Sequence, residues 1–236
     1  MQLLQMPLLQ MQWLDLLFAH WPIPAAVLRP LIPAGLELDL WQGEAYLSVV
    51  PFRMAGVGPV FLPVGSSFAE LNVRTYVKHR ANGGHRAGVW FFSLDAASRV
   101  GVRVARRFFH LPYYDARMSV DPLGAGYRYT SERTHRGAPP ARLEMTYSPV
   151  GPAALAEPGT LDDWLTARYS LFSADPRGRL YRGDVSHEPW LLQPATAEWG
   201  RLELTAPLGI TLNTAPVSLT FSKRLDVRAT ALKRLA

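Results

Sequence analysis

Apolar and polar positions alternate in short runs along most of the chain, and Pro or Gly separates one run from the next, the pattern of strands rather than of long helices. The clearest runs fall at about 44–54, 68–78, 86–95, 113–120, 125–134, 141–148 and 216–228. They predict a mainly β (α+β) fold with a largely antiparallel core. Three segments change period. Residues 12–20 (QWLDLLFAH) carry apolar side chains at helical spacing and stop at Pro22 and Pro24, which predicts a short helix. Residues 98–109 put Val100, Val104 and Phe108 on one helical side and Arg99, Arg103, Arg106 and His110 nearer the other, a second helix, although Val-x-Val-x-Val also fits a strand. Thr160-Leu161-Asp162-Asp163 reads as an N-cap with an acidic first turn, and Leu161, Trp164, Leu165 and Phe172 continue it as a third helix over 160–172. Arg168 falls within that apolar stripe. A guanidinium there must pair with a carboxylate, snorkel to water or contact a ligand.

No internal repeat is visible, and the Gly/Pro-rich piece at 149–159 is short enough for a surface connection, so residues 1–236 read as one domain. Apolar residues make up 48% of the chain and aromatics 11%, with a formal charge of only +6, which excludes disorder. The absence of Cys excludes disulfides, thiolate metal sites and cysteine nucleophiles. The longest apolar region, Trp21 to Leu36, is interrupted by four prolines and an arginine, so no membrane partner is expected, and with no basic n-region before Arg29 the expected location is cytoplasmic. Three lysines among the 25 basic residues leave 22 arginines, mostly interleaved with acids. Solvated surface arginines explain that better than a nucleic-acid face does. One basic cluster surrounds Asn82-Gly83-Gly84, which reads as a hairpin tip.

Candidate chemistry concentrates in Phe68-Ala69-Glu70-Leu71-Asn72-Val73-Arg74-Thr75-Tyr76-Val77. Alternation puts Leu71, Val73, Thr75 and Val77 on one face and Glu70, Asn72, Arg74 and Tyr76 on the other. If that second face lines an interior, it suits an anionic, oxygen-rich small molecule, because arginine binds carboxylates and a buried Glu is pushed toward neutral pH. If it faces water, it is an ordinary strand exterior. Arg106-Arg107-Phe108-Phe109-His110-Leu111-Pro112-Tyr113-Tyr114 gathers further groups able to hold an anion. His187-Glu188-Pro189-Trp190 starts like a zinc helix motif but lacks the second His, so no metal and no cofactor are expected. Walker-type, Rossmann-type and GxSxG motifs are absent.

Phe18-Ala19-His20-Trp21-Pro22, Val50-Pro51-Phe52, the segment from Glu70 to Val77, Phe91-Phe92-Ser93-Leu94-Asp95, Leu111-Pro112-Tyr113-Tyr114 and His187-Glu188-Pro189-Trp190 together resemble the uncharacterised YqjF-like family of bacterial proteins. That family is similar in fold to acetoacetate decarboxylase, which implies a cone-like antiparallel β barrel with a central cavity and a few flanking helices. In the decarboxylase a Pro precedes two adjacent lysines, the first forming a Schiff base. Here Tyr113-Tyr114 follow Pro112, and a phenol forms no imine. The resemblance turns the polar face of 68–77 toward the cavity. It implies a small anionic, oxo-acid-like ligand, with Glu70 and Tyr113 as candidate catalytic groups and Asn72, Arg74, Arg106, Tyr114, Arg168 and His187 as ligand contacts. Two other readings are a cofactor-independent lyase, isomerase or hydrolase in which Glu70 moves a proton, and a non-catalytic scaffold of internal Arg–carboxylate pairs. Oligomeric state is not legible.

Overall fold

A computed structural model describes residues 6–61, 65–81 and 84–235. In chain order its strands are β1 (Pro7–Ile23), β2 (Glu37–Leu38), β3 (Ala45–Pro59), β4 (Ser66–Ala81), β5 (Gly84–Ala96), β6 (Tyr113–Leu123), β7 (Gly126–Arg133), β8 (Arg142–Pro149), β9 (Ala154–Leu155), β10 (Ser170–Ala174), β11 (Leu180–Ser186), β12 (Leu191–Leu202), β13 (Ser218–Thr230) and β14 (Lys233–Arg234). Its α-helices are α1 (Ala25–Leu28), α2 (Arg99–Phe108) and α3 (Leu161–Thr166). The mainly β class read from the sequence is the one adopted. Asn82 and Gly83 of the expected hairpin tip lie outside the described residues.

The sheet closes on itself twice. One circuit of paired strands runs β5–β6–β7–β8–β12–β13–β1–β3–β4 and returns to β5, while a second leaves β5 through β10 and β11 to reach β13. The wall β13–β1–β3–β4–β5 belongs to both circuits, so each of its faces is covered. Leu17, Ala19, Trp21, Leu47, Val49, Leu71 and Val73 point from that wall into an apolar core shared with Tyr129, Leu143, Met145 and Tyr147. Residues of opposite parity face the second circuit: Phe18, Val50 and Phe52 pack with Trp190 and Leu192, and Tyr46 and Tyr76 pack with Phe91, Tyr113 and Leu165. This differs from a regular antiparallel barrel, since β5 pairs in parallel with both β6 and β10. The β5–β10 seam depends on Gly88, where an added Cβ would stand 2.5 Å from the Ser170 carbonyl oxygen.

The helix expected over 12–20 is strand. A strand covered on both faces shows a continuous apolar run, which periodicity cannot tell from a short buried helix. Asp15 compounds the ambiguity, because its left-handed backbone (φ 53°) breaks the alternation and sends Trp13, Leu16 and Phe18 to the same cluster. The Asp15 carboxylate accepts from Tyr127 (2.6 Å), Lys223 (2.6 Å) and Arg53, and its carbonyl accepts from Tyr147 (2.7 Å). Burial alone would raise the Asp15 pKa, but Lys223, Tyr127 and Arg53 together hold it below the ordinary value.

Helix α2 forms where expected, with the Ser98 hydroxyl capping Gly101 N–H at 3.1 Å, but Val102 is its buried residue while Val100, Val104 and Phe108 are exposed. The third helix is shorter than 160–172. Thr160 caps it and Thr166 ends it, and Phe172 belongs to β10. Arg168 therefore sits beyond the helix rather than on its stripe. Strands β10, β11 and β12 have no counterpart in the sequence reading.

Candidate binding site

Regular pairing with β3 sets Glu70, Asn72 and Arg74 opposite Phe52, Val50 and Ser48, on one face of β4. That face is turned inward: Glu70 is 1% exposed, Asn72 6% and Tyr76 fully buried. The opposite face is buried as well, because it lines the other circuit.

Tyr113 opens β6 beside Leu94 of β5, and its phenol donates to Glu70 Oε2 at 3.0 Å. Burial pushes the Glu70 carboxyl up to about 8, with the hydrogen bonds from Tyr113 and Asn72 opposing, so it holds its proton at neutral pH. Burial, with Glu70 alongside, pushes the Tyr113 phenol well above its ordinary value. From the apolar side of the wall, Tyr129 donates to the Glu70 backbone carbonyl at 2.7 Å and fixes the strand at that point.

Farther along the same face lies a cationic end. The Arg74 guanidinium sits over the Phe18 ring, 5.5 Å from its centroid, with its shielded Nε unpartnered and no carboxylate among the described residues in ion-pair reach. His20, fully buried on β1 and stacked on Phe18, has no hydrogen-bond partner on either ring nitrogen. Burial, and then Arg74, hold its imidazole well below the ordinary value, with the Ser218 backbone opposing, so it is neutral. The Asn72 Oδ1, Thr220 Oγ1 and Ser222 Oγ are likewise buried and unpartnered. Since β13 pairs Ser218, Thr220 and Ser222 with His20, Phe18 and Leu16, these hydroxyls belong to the same face. Five residues thus leave polar atoms without a protein partner on one buried face.

The remaining residues singled out in the sequence fall elsewhere. Arg168 is buried with Nη1 on Asp39 Oδ2 (2.5 Å) and Nε on the Trp164 carbonyl (2.7 Å), its guanidinium stacked 4.1 Å from the Trp164 ring, and one nitrogen, Nη2, left over. Arg106 and Tyr114 flank a separate outer groove, because alternation along β6 turns Tyr114 away from Tyr113. His187 joins Trp13, Tyr169 and Trp190 in an aromatic cluster. No Glu70–Arg74 ion pair forms. Lys223 is engaged with Asp15 and Tyr127. Among the described residues no group of three or more His, Asp or Glu could hold a metal, and no helix is long and apolar enough to cross a membrane. His20 was missed because 12–20 read as helix; its signal was the alternation of Leu16, Phe18 and His20 against Leu17, Ala19 and Trp21.

Residues 10–226 match DUF2071, a family described as an uncharacterized conserved protein. The chain belongs to that family. Its relative YqjF of Bacillus subtilis (strain 168), also described as uncharacterized, is 40% identical over 223 residues, covering 93% of this chain and 89% of YqjF. Solved structures extend the likeness to fold. Acetoacetate decarboxylase from Legionella pneumophila superposes with a TM-score of 0.63 at 13% identity, covering 98% of this chain and 86% of that one. The enduracididine biosynthesis enzyme MppR complexed with pyruvate gives 0.62 at 14% identity, covering 99% and 92%. The DUF2071 chain thus has the acetoacetate-decarboxylase-like fold, as its resemblance to the YqjF-like family implied.

Proposed function

We propose that this DUF2071 protein binds a small oxo-acid-like monocarboxylate on the buried face formed by Glu70, Asn72, Arg74 and His20. The unpaired Arg74 carries the reading. The Arg74 side chain is partly buried, with its Nε shielded from water and no counter-charge in reach, and Glu70, the carboxyl on the same strand face, is protonated and engaged with Tyr113. An incoming carboxylate supplies the missing charge and finds a bidentate donor. Neutral His20 and Asn72 complete the recognition, and the protonated Glu70, held by the Tyr113 phenol, offers an O–H donor to a carbonyl oxygen. The pyruvate bound by MppR, which shares the fold, is a ligand of this class.

The Glu70–Tyr113 contact favours a second step on the same site. With a pKa of about 8 a minor fraction of Glu70 is ionised at neutral pH; that carboxylate, held by the Tyr113 phenol, takes a proton from the carbon next to the ligand carbonyl and returns it, while the Arg74 guanidinium stabilises the enolate charge. This chemistry needs no imine, consistent with Tyr113 standing where the decarboxylase has lysine.

Calorimetric titration with pyruvate, acetoacetate and levulinate tests the reading. Saturable binding of at least one, weakened about tenfold or more in Arg74→Gln, is the expected result. Absence of binding by all three, or binding indifferent to Arg74→Gln, overturns it. Solvent deuterium exchange into the bound acid, lost in Glu70→Gln, tests the proton-transfer step.

A further inference from the structure

The residues that the fold separates from Glu70 make a site of their own. Trp90 and Phe92 of β5 and Tyr114 of β6 line an outer groove of about 470 Å³, with the buried rings of Phe91 and Phe172 behind it and Arg106 and His110 at its polar side. That volume lies within the usual range for small-molecule sites, roughly 300–1,000 Å³. Its one arginine has no acidic partner. Arg106 stacks over the Tyr114 ring at 5.7 Å and has no carboxylate partner among the described residues. The one acid in the lining, Asp175, is already occupied by the Arg179 guanidinium and the N–H groups of Arg177 and Arg179. Ser173, a lining residue only 2% exposed, keeps an unpartnered Oγ. His110 holds a left-handed backbone (φ 49°) and packs its ring on Tyr181, 4.9 Å between centroids.

We infer that this groove is a second binding site, for a planar aromatic monocarboxylate whose ring stacks among Trp90, Phe92 and Tyr114 and whose carboxylate meets Arg106. The partly exposed rings of Trp90, Phe92 and Tyr114 favour a flat apolar body, and the exposed Arg106 guanidinium, with no carboxylate partner among the described residues, favours a single negative charge. The site is joined to the buried one by a single residue step. Arg106 Nη1 donates to the Tyr113 backbone carbonyl at 2.7 Å, so the groove cation grips the backbone that carries the Glu70 partner. The inference does not rest on the oxo-acid reading: of the residues lining this groove only Phe91, the buried cross-strand partner of Arg74, belongs to the Glu70–Arg74 face.

The experiment is calorimetric titration of the full chain with 2-naphthoate and, separately, with pyruvate, in wild type, Arg106→Gln, Ala174→Phe and Arg74→Gln. Naphthoate is expected to bind saturably and to weaken about tenfold or more in Arg106→Gln, the loss of one charge-assisted contact. Ala174→Phe, which adds a ring inside the groove and leaves Arg106 in place, is expected to abolish binding. Arg74→Gln should leave naphthoate affinity unchanged while weakening pyruvate. Circular dichroism confirms that each variant is folded before it is scored. Absence of saturable naphthoate binding to wild type, or naphthoate binding lost in Arg74→Gln and retained in Arg106→Gln, overturns the second site whatever pyruvate does.

Discussion

The Tyr113 phenol donates to Glu70 Oε2 across 3.0 Å, and both groups are buried between two aromatic clusters on one face of β4. This contact ties the fold to its chemistry. Parallel pairing of β5 with β6 delivers Tyr113, and regular pairing of β3 with β4 delivers Glu70.

Glu70 makes stability pH-dependent in a direction opposite to that of a salt-bridged acid. Its folded pKa of about 8 lies above the ordinary 4.5, so between those values the unfolded chain releases a proton that the folded one keeps. Stability is therefore full below the lower value and falls by up to ~1.4 kcal/mol per pH unit through the window. In Glu70→Gln that slope is expected to disappear, as read from urea unfolding of the two proteins across pH.

Tyr113→Phe removes a hydrogen bond that opposes the rise in the Glu70 pKa. The carboxyl is expected to titrate higher than in wild type, by isotope-edited infrared spectroscopy of the Glu70 carbonyl band. An unchanged or lower midpoint would mean that the phenol does not act on that carboxyl.

At Asp15 the charge and the backbone are separable. Asp15→Ala loses the three side-chain partners and places alanine in the left-handed region, an expected cost of about 1–3 kcal/mol, moderated because Arg53 and Lys223 are 45% and 68% exposed and can rehydrate. Asp15→Asn should lose less, since asparagine tolerates that backbone. Because the native pKa of Asp15 is held below 3.8, wild type has this contribution above that pH and loses it as the pH falls through the folded value, a loss absent from Asp15→Asn.

Gly88→Ala tests the closure of the second circuit. Its Cβ would meet the Ser170 carbonyl oxygen at 2.5 Å and the Phe172 ring at 2.8 Å, so β10 must move. Thermal unfolding should show a loss of roughly 1–3 kcal/mol, with hydrogen exchange rising first in β10.

The segment 68–77 was legible because strict alternation survives wherever a strand separates two unlike interiors, one apolar and one polar. Residues 12–20 were not, since burial on both faces erases alternation and the Asp15 bulge shifts what is left. For Arg168 the sequence left a carboxylate pair, water or a ligand open; its partner Asp39 lies 129 positions away and no local spacing could name it. Arg106 and Tyr114 were grouped with Tyr113 by adjacency, whereas the strand pleat sends neighbouring residues to opposite sides. His20 became readable only once its segment was known to be strand.

The most direct measurement is a crystal structure of the protein grown with pyruvate. We expect carboxylate density within hydrogen-bond distance of the Arg74 guanidinium and the keto oxygen directed toward Glu70 and Tyr113. Ordered side chains closing over Arg74 and His20, with their nitrogens satisfied by the protein itself and no ligand density, would contradict the account.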